Sequence, residues 1–126
     1  MNIRKYTLAD KESIIDLFRI NTPNYFSIIE EKDLIYYLDN YTENYYVVEL
    51  EHQLIGSGGF NFADDLEIAK ISWDIFHPNY HGRGFGSKLT QFRIEKIKEY
   101  DDIKIISVRT SQLTFKFYEK FGFKIK

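Results

Sequence analysis

The sequence predicts an α/β (α+β) domain whose elements follow in the order β-α-α-β-β-β-α-β-α-β. Three observations carry that expectation. The chain has 126 residues, 44% of them hydrophobic, which is the size of one ordinary domain with its own core. Two boxes of Ser or Thr followed by an acid each open a segment of helical spacing. β-rich runs, one of them cleanly alternating, separate these from two later helical segments. No repeat, low-complexity tract or linker divides the chain, so residues 1–126 read as a single domain.

The elements follow in order. Asn2–Tyr6 (NIRKY) reads as a short strand. Thr7 with Asp10 three residues on forms a capping-box variant, opening a helix to about Phe18 that places Ile14, Leu17 and Phe18 at helical spacing. Asn21–Asn24 (NTPN) ends it. Ser27 with Glu30 opens a second helix carrying Leu34, Ile35 and Leu38 to about Asp39. Tyr45–Phe62 reads as a hairpin turning near Glu51–Gln53. In Glu67–Phe76 the alternation places Ile71, Trp73 and Ile75 on one face and Lys70, Ser72 and Asp74 on the other. A helix over about Gly84–Tyr100 presents Phe85, Leu89, Phe92 and Tyr100, with Ile94 and Ile97 further round. Ile103–Thr110 reads as a buried strand. A helix from Ser111 ends at Gly122, and the last residues (FKIK) begin another strand.

Composition removes whole classes of function. With no cysteine, disulfides, thiolate metal sites and cysteine nucleophiles are excluded, which fits a reducing compartment. A net charge of −2 argues against nucleic acid as the principal partner. No apolar run approaches the roughly 20 residues of a membrane helix, and the charged N-terminus lacks an apolar signal region. The sequence reads as a soluble, cytoplasmic chain. Three scattered histidines give no metal site: His52 falls in the hairpin turn, and His77 supports the bend before Pro78.

The stretch His77–Leu89 (HPNYHGRGFGSKL) alternates Gly82, Gly84 and Gly86 with Arg83, Phe85 and Ser87, and Lys88 follows. A strand feeding a glycine-rich turn into a helix N-terminus is an anion site, because free N–H groups and the helix dipole point outward there. Arg83 and Lys88 oppose that dipole, so they make local sense when an anion sits between them. Ser87 stands five positions after Gly82 and no Ser or Thr follows Lys88, so the P-loop pattern fails. Leu89 stands where a dinucleotide fingerprint needs its third glycine, so that pattern fails too. An accidental glycine cluster in a plain loop is the alternative.

His81-Gly82-Arg83-Gly84-Phe85-Gly86, preceded by His77-Pro78, resembles the acyl-CoA signature of the GNAT superfamily of N-acetyltransferases (Gln or Arg, two residues, Gly, one residue, Gly or Ala). Phe117–Phe123 (FYEKFGF) resembles the same family's last helix-to-strand segment, and the element order matches throughout. The resemblance implies a mixed, twisted central sheet of about six strands flanked by helices, with acetyl-CoA as co-substrate. It implies that backbone N–H groups from His81 to Ser87 hold the pyrophosphate, with Lys88 beside them. A backbone N–H within Ile75, Phe76 and His77 would polarise the thioester carbonyl. Tyr118 matches the tyrosine that protonates the departing thiolate, a phenol of pKa about 10 serving a thiol of about 8.5. Phe115 shares the face of Tyr118, and Ser111 or Gln112 stands where the family often has a cofactor-binding Asn. His81 replaces the usual Gln or Arg. The family also continues into one more strand beside the acceptor site, which is not seen before Lys126. A shortened chain, a strand supplied by a partner in a homodimer, and an altered acceptor pocket all stay open.

The acceptor amine must lose a proton, since a lysine-like amine of pKa about 10.4 is charged at neutral pH. Asp74 and Glu67 are the candidate bases, Asp74 first because it shares a face with Ser72 and Lys70; an Asp74–Lys70 ion pair is the competing explanation. The aromatic residues around the second helix, with Glu30, Glu31 and Asp33, suit a cationic amine of a small molecule or peptide, or equally ordinary packing with a solvated acidic face. The expected activity is N-acetyl transfer by direct attack. A non-catalytic acyl-CoA-binding domain is the alternative, and an unrelated nucleotide-binding protein a distant third.

Overall fold

The computed structural model describes residues 1–63, 67–107 and 124–125. Strands β1 (Asn2–Lys5), β2 (Tyr45–Leu50), β3 (Gln53–Phe62), β4 (Ile68–Phe76), β5 (Ile105–Ser107) and β6 (Lys124–Ile125) form one sheet in chain order. β1 to β4 pair antiparallel, whereas β4–β5 and β5–β6 are parallel. Among the described residues the helices are α1 (Lys11–Ile20), α2 (Glu31–Asn40) and α3 (Phe85–Ile97). The mixed sheet and the order of the described elements are those the sequence predicts; the helix expected from Ser111 to Gly122 lies outside the described residues.

Both boxes act as read, although each opens on a 3₁₀ turn before its helix. The Thr7 amide donates to Asp10 Oδ2 at 2.8 Å, and the Ser27 amide to Glu30 Oε2 at 2.8 Å. The hairpin turns on Glu51 and His52, both with left-handed φ (52° and 68°), as a tight two-residue connection requires.

The sheet separates two cores. Ile14, Phe18, Leu34 and Leu38 of α1 and α2 pack on Val47 and Ile75. Leu89, Ile94 and Ile97 of α3 pack on Val48, Ile55, Phe60 and Ile106. Neighbouring Val47 and Val48 thus serve opposite faces, the period of two that a strand imposes. On α3 the sequence reading is corrected. Ile94 and Ile97 are fully buried with Leu89, while Phe85 and Phe92 are only partly buried and Tyr100 lies beyond the helix, 46% exposed.

Arg4 ties β1 to the first turn, reaching Asp10 with both terminal nitrogens (2.9 and 2.8 Å) and Glu49 with Nε (3.0 Å). The Arg4 hydrogen bonds hold the Asp10 carboxyl below its ordinary 3.8. A depressed folded pKa stabilises above the unfolded value, and that contribution is lost as pH falls through the folded value. Asp10→Asn should therefore melt below the parent protein at neutral pH, and thermal melts taken into acid should show the gap closing below about pH 4.

Candidate functional site

The end of β4 is set by a bulge. Between the pairs Ser57↔Ile75 and Gly59↔Ser72, β4 advances one residue more than β3, and Trp73 takes a left-handed φ of 50°. The extra residue reverses the faces. Ile71 packs against the α3 core, whereas Trp73 and Ile75 pack against the α1–α2 core. Ile71, Trp73 and Ile75 therefore do not share a face, and neither does Asp74 share one with Ser72 and Lys70. Ser72 instead donates to Asn61 Oδ1 at 2.7 Å, an oxygen that also accepts from the Tyr37 hydroxyl at 2.6 Å.

Asp74 turns toward α3 and meets Arg93, not Lys70. Arg93 Nη1 and Nη2 face the two carboxylate oxygens, the second at 2.8 Å, and Nη2 also donates to Thr90 Oγ1 at 3.1 Å. The Arg93 side chain is fully buried, while 41% of the Asp74 side chain stays exposed. Gly58 makes room, because a Cβ there would sit 2.5 Å from Asp74 Oδ1. Arg93 was not singled out in the sequence, yet the signal existed: it lies midway between Leu89 and Ile97, four residues from each, on the helix's buried stripe. Glu67 precedes the far end of β4, roughly 25–30 Å of extended chain from Phe76, and does not join this site.

Beyond the bulge, the His77 amide donates to Ile55 O at 2.9 Å. Alternation along an antiparallel pair then turns the N–H and C=O of Phe76 away from β3. The carbonyl on that side accepts from Asn21 Nδ2 (2.9 Å) and from His81 Nε2 (2.8 Å). Asn21, buried at the end of α1, is a second site residue the sequence does not mark, since in sequence its turn is only a helix stop.

A 3₁₀ turn, Pro78–Tyr80, leads into the glycine loop. The His81 amide donates to Pro78 O at 3.2 Å, so this member of the expected cradle is already committed. Its imidazole packs edge-on to Tyr25 at 4.9 Å. Gly82 and Gly84 have φ of 73° and 85°, and Gly84 caps α3. The first helical bond runs from Lys88 N to Gly84 O (3.1 Å), so the amides of Phe85, Gly86 and Ser87 precede the ladder and point out of the helix end. A Cβ at Gly82, Gly84 or Gly86 would meet no atom of the described residues within 4 Å. The Arg83 guanidinium lies 5.1 Å from the Tyr80 ring and 5.7 Å from that of Phe85. Ser87 and Lys88 are exposed.

These elements bound a cleft of about 280 Å³. It is lined by Asp74 and Phe76 of β4, by Tyr80, His81, Gly82 and Gly86 of the glycine loop and the start of α3, and by Asn21, Tyr25 and Phe26 after α1. The structure thus brings Asp74, Phe76, His81, Gly82 and Gly86 together. Ser111, Phe115 and Tyr118 lie outside the described residues. Among the described residues no cluster of His, Asp and Glu could hold a metal ion, and no helix is long and apolar enough to cross a membrane.

The model of an acetyltransferase (GNAT) domain matches residues 41–125. This chain belongs to the GNAT acetyltransferase family. No curated protein matches it. Among solved structures, a predicted acetyltransferase from Clostridium acetobutylicum with acetyl-CoA is similar at 20% identity and a TM-score of 0.69, over 98% of this chain and 89% of that one. A GNAT-family acetyltransferase from Staphylococcus aureus gives 20% identity and 0.71, over 94% and 80%. N-acetylglutamate synthase from Neisseria gonorrhoeae, complexed with coenzyme A and N-acetyl-glutamate, gives 18% and 0.75, over 94% of this GNAT domain but 27% of that chain. At these identities the likeness establishes the fold.

Proposed function

We propose that this GNAT domain transfers the acetyl group of acetyl-CoA to a primary amine by direct attack. The observation that carries the reading is Gly86. It lies in the first turn of α3 with no left-handed φ and, among the described residues, no atom near its absent Cβ, so nothing in the described fold requires glycine. Glycine within a helix is destabilising by roughly 0.5–1 kcal/mol relative to alanine. A bulky anion pressed against the helix end explains the position.

In this reading the amides of Phe85, Gly86 and Ser87 hold the pyrophosphate, and Arg83 and Lys88 add the positive charge that the dipole alone disfavours. The Phe76 amide, turned away from β3, receives the thioester oxygen as it gains negative charge. The amine lone pair attacks the carbonyl carbon, the C–S bond breaks, and Tyr118 returns a proton to the thiolate. Asp74 takes the proton of the amine through water; each of its oxygens keeps a lone pair beyond those facing Arg93.

Calorimetric titration with acetyl-CoA, followed by thiol release in the presence of amines, tests the reading. Micromolar binding with amine-dependent release is expected; no binding at millimolar acetyl-CoA overturns it. Tyr118→Phe should lower kcat by about a hundredfold with acetyl-CoA affinity nearly unchanged. An equal turnover in the two proteins would remove Tyr118 from the mechanism. Binding with no release for any amine would favour a non-catalytic acyl-CoA-binding domain.

A further inference from the structure

A second cleft, of about 330 Å³, opens on the α1–α2 side of the sheet, lined by Asp33, Tyr36, Tyr37, Tyr41 and Trp73. Its walls are aromatic. The rings of Tyr36 and Tyr41 stack at 5.8 Å, Tyr37 and Tyr41 lie 6.1 Å apart, and Tyr37 and Trp73 6.5 Å. Tyr36 and Tyr41 are about half exposed, at 53% and 48%, so these are not rings spent on the core. Two neighbouring carboxylates are matched by cations: Glu31 pairs with Arg19 at 2.7 Å, and Asp39 with Lys11 at 2.7 Å. Asp33 has no ion-pair partner among the described residues, although it faces the cleft. The negative charge of Glu43 also reaches Tyr37 and Tyr41.

We propose that this cleft seats an organic cation, an alkylammonium group held among Tyr36, Tyr41 and Trp73 and opposite Asp33. Aromatic rings attract such a cation through their quadrupoles, and a single carboxylate supplies the complementary charge without a rigid fork. The volume lies at the small end for ligand pockets and suits a charged head group. Trp73 also stacks on Phe26 (6.1 Å, 29° between planes), and Phe26 forms part of the wall of the first cleft. One aromatic partition therefore separates the two clefts. Resting on the acetyl-transfer reading above, the seated group is the second, non-reacting ammonium of a linear diamine-type acceptor, whose other amine reaches Asp74.

Trp73 is the chain's single tryptophan, so its fluorescence reports on this cleft directly. Titration of the protein with butylammonium and with tetramethylammonium should give a saturable change, and neutral butanol none. Asp33→Asn and Tyr41→Leu, both at exposed positions, should each weaken the cations about fivefold to tenfold. An equal response to butanol, or cation binding undiminished in both variants, overturns the site. The titration needs no acetyl-CoA, so a failure of acetyl-CoA binding sinks the transfer reading and leaves this one standing. In the transfer assay diaminobutane should show a lower KM than butylamine, and equal values overturn the acceptor assignment.

Discussion

Asp74→Ala lowers the stability of the domain by about 3 kcal/mol, read as a fall in the denaturant midpoint at unchanged slope. The reason lies in the unequal burial of the pair. Arg93 is fully buried and aims both terminal nitrogens at Asp74, whereas 41% of the Asp74 side chain is solvated. Removing the carboxylate takes from a buried guanidinium the charge that it faces, which is dearer than removing a partner that water can reach. The half-open carboxylate places the effect at the low end of the range for broken buried pairs. Asp74→Ala/Arg93→Met should recover most of the loss, because the buried charge then goes as well. A midpoint unchanged in Asp74→Ala would show that the pair carries no weight. The double variant also matters for the chemistry. It separates a loss of turnover caused by a loosened β4 from one caused by the missing base, since only the second persists when stability returns.

Local signals in this sequence were legible because their physics is local. The capping boxes at Thr7–Asp10 and Ser27–Glu30 need only four residues each, and both formed. The tight turn at Glu51–His52 and the family's glycine signature are likewise contiguous. The bulge at Ser72–Asp74 is different. It depends on how β4 registers against β3, and the alternation within β4 gave no sign of it. Its trace was on the other strand, where Gly56, Gly58 and Gly59 thin a stretch otherwise rich in β-formers. A Cβ at Gly58 would press on the Asp74 carboxylate and one at Gly59 on the backbone of Asn44 and Tyr45. Unbroken alternation places Asp74 on the face of Ser72 and Lys70, whereas Arg93, on the Leu89–Ile97 stripe, is the partner it meets. Asn21 was hidden for a similar reason: its role is to bond Phe76 O, 55 residues away.

The glycine loop offers the sharpest separation of folding from binding, because Gly84 and Gly86 are glycine for different reasons. Gly84 has a φ of 85°, so Gly84→Ala forces a side chain into the left-handed region and should cost about 1 kcal/mol of stability. Gly86 carries no such φ and begins a helical turn, so Gly86→Ala should raise stability by roughly 0.5–1 kcal/mol. Binding should move the other way. Each added methyl projects outside the loop, since no atom of the described residues would lie within 4 Å of a Cβ at either position. If the amides of Phe85, Gly86 and Ser87 face a pyrophosphate, Gly86→Ala weakens acetyl-CoA about tenfold and Gly86→Leu by at least about a hundredfold. A Gly86→Leu protein that melts no lower than its parent and no longer binds acetyl-CoA would tie the loss to the cradle. Undiminished binding in that variant would mean the anion sits elsewhere, and the charges of Arg83 and Lys88 would then need another partner.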